Sequence, residues 1–80
     1  MTSEQVADAL TGSLVGLGVE AAAIRPDIRL HEDLELDSTE MVQVSLDLTR
    51  RLGVRVRLDV RADATFRDAC EAVAQQAGEP

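Results

Sequence analysis

The segment from Asp37 to Gly53, Asp-Ser-Thr-Glu-Met-Val-Gln-Val-Ser-Leu-Asp-Leu-Thr-Arg-Arg-Leu-Gly, constrains the fold more than any other part of this chain. At about 100° per residue, Met41, Val44, Ser45, Leu48 and Leu52 fall within one stripe, and a helix with such a stripe must turn it toward a core. Asp37 suits the N-cap, and Glu40 at the third helical position completes a capping-box pair. Gly53 provides the stop, and Arg50 and Arg51 suit the negative end of the helix dipole. The spacing predicts a helix over about 38–52.

The flanking segments carry the same period. After Thr2 or Ser3, either of which can cap a helix, Val6, Leu10, Ser13, Leu14 and Leu17 share one face, which predicts a helix over about 4–16 ended by Gly16 and Gly18. From 18 to 37 no period is sustained. Loops of this length are uncommon unless functional or anchored, and the spaced Ile24, Ile28, Leu30, Leu34 and Leu36 predict anchoring onto the core. Residues 54–61 alternate strictly between apolar and charged, a strand pattern, yet no second segment alternates convincingly to pair with them. They are expected to run extended into a short helical turn at about 58–62. Thr65 and Asp68 form a second capping-box pattern, opening a last helix over about 66–77 with Phe66, Ala69, Cys70, Val73 and Ala77 on one face. The expected fold is all-α: one domain over residues 1–80, a small antiparallel four-helix bundle of three main helices and one short one.

Charge narrows the choice of partners. The net charge of −7 is unevenly spread: residues 1–47 hold ten acids against Arg25 and Arg29, giving −8, while residues 48–80 hold five acids against six arginines, giving +1. The first half would repel a phosphate backbone, so neither nucleic acid nor an anionic membrane is an expected partner, and a basic protein surface is the natural complement. Phe66 is the only aromatic residue, so stacking on bases or sugars is excluded. The arginines without lysine fit codon bias and carry little functional weight. One cysteine forms no internal disulfide, no apolar run is long enough to span a bilayer, and the N-terminus lacks a basic leader pattern. A cytoplasmic, monomeric protein is expected.

Few residues could carry chemistry. Ser38 lies in the first turn of the central helix, its hydroxyl free to point outward while Asp37 and Glu40 cap; a capping box alone would equally account for those two acids. Val42 and Leu46 lie about 100–140° away from Met41 around the helix. Either they widen the core contact or they form an exposed apolar patch beside Ser38. Cys70 on an apolar stripe reads as a small core hydrophobe, and His31 between loop residues reads as a surface histidine that does not define a metal site. Arg55, Arg57 and Arg61 read as the solvated side of an extended segment. No nucleophile–base constellation or glycine-rich phosphate cradle is present, so no catalytic residue is expected.

The whole chain resembles the acyl carrier protein family, which includes the peptidyl carrier domains. The features that carry the resemblance are a helix, a long loop ending Leu34-Glu35-Leu36-Asp37-Ser38, a helix ending Arg51-Leu52-Gly53-Val54, a short turn and a helix start at Thr65-Phe66. The resemblance implies that Ser38 carries 4′-phosphopantetheine, transferred from coenzyme A by a phosphopantetheinyl transferase that recognises Asp37. Acyl groups would ride as thioesters on the arm, making the chain a carrier and not an enzyme. Family members commonly place Leu after the modified serine and more acids along the next helix, where this chain has Thr39, Gln43, Thr49, Arg50 and Arg51. These departures point to a dedicated partner set in polyketide or other specialised-metabolite synthesis. The implied partner face is Thr39, Glu40, Val42, Gln43, Leu46, Asp47 and Arg50, meeting an acyltransferase, a ketosynthase or an adenylating enzyme. A free-standing acyl carrier is expected; a peptidyl or aminoacyl carrier, or an unmodified helical interaction module, is the alternative.

Overall fold

The helices form where the apolar spacing and the caps put them. The computed structural model describes residues 3–58 and 64–76. It contains α1 (Ser3–Gly16), α2 (Ser38–Leu52) and α3 (Phe66–Gln76), with a 3₁₀ turn at Ala21–Ala23. Among the described residues there is no strand; one isolated antiparallel bridge joins Arg29 and Thr65. No helix there is long and apolar enough to cross a membrane. Most of the short helix expected over 58–62, and Ala77 at the end of the last helix, lie outside the described residues; Leu58 itself is not helical.

The stripes read from the sequence become one core. Val6, Leu10 and Leu14 of α1 meet Met41, Val44 and Leu48 of α2 and Phe66, Ala69 and Val73 of α3. Each fully buried Leu or Val there contributes roughly 1.5–3 kcal/mol of transfer free energy. α1 packs against both other helices. The radius of gyration is 11.2 Å, against about 11.6 Å for a compact chain of this length. Gly18 at φ 102° and Gly53 at φ 72° end α1 and α2 in backbone conformations that side chains disfavour, and the Gly53 N–H donates to the Thr49 carbonyl.

The long loop is ordered because α3 needs it. The first N–H groups of a helix have no partner within the helix. Here the Phe66 N–H donates to the Ile28 carbonyl at 2.8 Å and the Arg67 N–H to the Pro26 carbonyl at 3.0 Å. Thr65 and Asp68 complete the expected capping box, each side chain accepting from the other's N–H at 3.1 Å. Leu30 and Leu36 are buried beneath the loop, and Arg29 braces its rim through Glu32 and Asp33.

The alternating segment is also explained. Val56 is buried, Val54 and Leu58 half-buried, and Arg55 and Arg57 exposed, as a strand would have them. Its partners are side chains. The Val56 N–H donates to Thr49 Oγ1 at 3.0 Å and the Leu58 N–H to Ser45 Oγ at 3.2 Å, while the Gln76 amide bonds both the N–H and the carbonyl of Arg57. Residues 54–58 thus form a strap between α2 and α3.

Candidate functional site

The beginning of α2 holds the candidate site. Asp37 is the N-cap: its carboxylate accepts from the Glu40 N–H at 2.8 Å, and Glu40 Oε1 accepts from the Asp37 N–H at 3.2 Å. Both acids are thereby engaged in fixing the first turn. Ser38 between them is exposed, and its hydroxyl makes no hydrogen bond among the described residues. A serine hydroxyl can also bond its own helix, as Ser45 Oγ does by donating to the Met41 carbonyl at 2.9 Å. Ser38 leaves its oxygen toward solvent instead.

The approach to Ser38 is shaped by the loop. Glu35 adopts φ 57°, a left-handed conformation uncommon outside glycine. It lies between half-buried Leu34 and buried Leu36, whose N–H donates to the Leu30 carbonyl at 3.2 Å. His31 Nδ1 donates to the Leu36 carbonyl at 2.7 Å; a carbonyl only accepts, so this nitrogen carries a hydrogen. His31 is therefore a brace for the turn before Asp37. Among the described residues no group of His, Cys, Asp and Glu could hold a metal ion.

Along α2 the two readings of Val42 and Leu46 separate. Val42 is 57% and Leu46 60% exposed, an apolar ridge one and two turns beyond Ser38 on the same side of the helix. Leu46 borders two open grooves. One runs toward α1 with Ser13, Leu17, Gln43 and Arg50, and the other, of about 280 Å³, lies against the strap with Val42, Ser45, Arg57 and Leu58. Thr39 and Gln43 are exposed beside the ridge.

Asp47 lines the α1-side groove with Leu46 and Arg50. Its Oδ2 accepts from Arg51 Nε at 2.7 Å, and hydrogen bonds from Arg51 and then from buried Ser13 of α1 hold its carboxyl below the usual carboxylate range. Its ion pairs among the described residues are both with arginines of its own helix. Arg50 reaches Asp47 only at 3.9 Å and is 81% exposed. Cys70 sits on the α3 face toward the core, its thiol pushed up to about 11, first by burial and then by Glu71. A thiol so protonated is a poor nucleophile at neutral pH.

Two contributions were not readable from spacing. Position alone places Ser45 in the core stripe and Arg57 on a solvated edge; Arg57 is exposed as expected, and the structure further makes Ser45 an anchor of the strap and sets Arg57 beside Leu46. Hydroxyls at Ser45 and Thr49, one turn apart and facing an alternating segment without a strand partner, were the available signal. Compared with models of protein families and with curated proteins, the chain finds no match.

Proposed function

We propose that this chain is a carrier protein of the acyl carrier type, with 4′-phosphopantetheine attached to Ser38. The observation that carries the reading is the exposed Ser38 hydroxyl, without a hydrogen bond among the described residues, directly behind a capping box that engages both neighbouring acids. In attachment, Ser38 Oγ would form a bond to the pantetheine-side phosphorus of coenzyme A as the phosphoanhydride P–O bond breaks, adenosine 3′,5′-bisphosphate leaving with the bridging oxygen and the hydroxyl proton passing to the transferase. Asp37 and Glu40 hold the first turn so that Ser38 stays at the surface, and Asp37 marks the serine for the transferase.

These residues suit the group. A phosphodiester on Ser38 sits at the positive end of α2, which is worth about 0.3–1 kcal/mol at an exposed site. When bound, the arm supplies a terminal thiol that holds acyl groups as thioesters; the protein itself performs no catalysis. The groove beside Val42 and Leu58 gives such an arm an apolar wall to lie against. The thinned acids of α2 fit a dedicated pathway of specialised-metabolite synthesis in this reading.

The test is the intact mass of the chain after incubation with coenzyme A and a promiscuous phosphopantetheinyl transferase. Wild type is expected to gain one phosphopantetheine and Ser38→Ala none. No addition to wild type would remove the carrier reading and leave the exposed Val42–Leu46 ridge as the site of an unmodified interaction module. For a carrier, loading by an acyltransferase or by an adenylating enzyme separates acyl from aminoacyl cargo.

A further inference from the structure

The ridge of α2 has an unexpected electrostatic border. In a chain of net charge −7, the charged side chains flanking Leu46 along its two grooves include Arg50 on one side and Arg57 on the other. Asp47, which lines the groove beside Arg50, is paired with Arg51 at 2.7 Å. Arg50 has only a 3.9 Å contact, and Arg57 makes no ion pair among the described residues. The position of Arg57 is set by its backbone, clamped by the Gln76 amide. Toward Ser38 the border changes sign, with Glu35, Asp37 and Glu40. The ridge is therefore apolar along its length, flanked by arginines on either side of Leu46 and by acids at the serine end.

We propose that this ridge docks a protein partner whose surface offers an apolar socket for Val42 and Leu46 flanked by carboxylates facing Arg50 and Arg57. Complementary charge at an interface selects partners and fixes orientation, so the border dictates which way round the partner lies along α2. A uniformly basic partner, the natural complement of the first half of the chain, would meet the exposed Arg50 and Arg57 here. The proposal deepens the partner-face reading above and rests on it for the partner being an enzyme of the carrier's pathway.

The experiment uses the unmodified chain, so it succeeds or fails separately from phosphopantetheine attachment. Two helical peptides with the same leucine pair one turn apart, one flanked by glutamates and the other by lysines, are titrated into ¹⁵N-labelled protein. The glutamate peptide is expected to shift the amides of Val42, Leu46, Arg50 and Arg57 and to bind roughly tenfold more tightly than the lysine peptide at low salt. Because both arginines are exposed, the double variant Arg50→Glu/Arg57→Glu should keep a wild-type amide spectrum elsewhere and reverse the preference. Equal binding of both peptides, preference for lysine, shifts centred on another face, or no binding by either would overturn the proposal.

Discussion

Ser38 and Glu35 show how much depends on single backbone positions before α2. Ser38 stands exposed behind a helix start that its neighbours, not its own hydroxyl, satisfy. Glu35 accepts a left-handed conformation that costs a non-glycine residue roughly 1–2 kcal/mol. It is held there by burial of Leu36 and partial burial of Leu34. Glu35→Gly is expected to leave stability unchanged or raise it by up to about 1 kcal/mol, glycine's greater unfolded entropy offsetting part of the relieved strain. Glu35→Val, branched at Cβ, is expected to lower it by about 1–2 kcal/mol. Urea unfolding measures both, and a valine variant as stable as wild type would show that no strain is stored at this turn.

At the scale of elements, the strap is the unusual part. An extended segment normally satisfies its backbone through a neighbouring strand, and an isolated pair of strands is marginal in water. Residues 56–58 use two helix hydroxyls and one terminal amide instead. Removing one acceptor leaves a half-buried N–H without a partner, at about 1–3 kcal/mol. Thr49→Val and Ser45→Ala are each expected to cost that much and to speed amide exchange at Val56 and Leu58, respectively, with α1 exchange less affected. If exchange rises equally throughout the chain, the strap is not a separately opening unit. The same hydroxyl pair explains how the alternating segment runs extended, as expected, without a strand partner: the period reports which side chains are buried, not what bonds the backbone.

For the whole molecule, acid should be the revealing stress. Asp33 is held below the usual carboxylate range by hydrogen bonds from the Arg29 backbone and side chain, and Asp47 by those from Arg51 and Ser13. With folded values depressed, both contribute stability above their unfolded values near pH ~3.9 and lose it as pH falls through the folded ones. The contribution is modest because both carboxylates are accessible to solvent. Asp33→Asn/Asp47→Asn is therefore expected to unfold at lower urea than wild type at pH 7, with the difference shrinking below about pH 4. A difference that stays constant from neutral to strongly acid pH would show that these pairs do not stabilise the fold through their charge.

The sequence by itself determined the helix spans, their caps and the residues that face inward, because these depend on period and on neighbours within one turn. It also singled out Ser38, since a serine behind an Asp37–Glu40 capping box is a local pattern. Tertiary structure decided what long-range contact alone can: that loop carbonyls of Pro26 and Ile28 complete α3, and that Val42 and Leu46 remain exposed. It also decided that Arg57 joins their border, since packing of the strap against α2, not residue spacing, sets which side chains meet there.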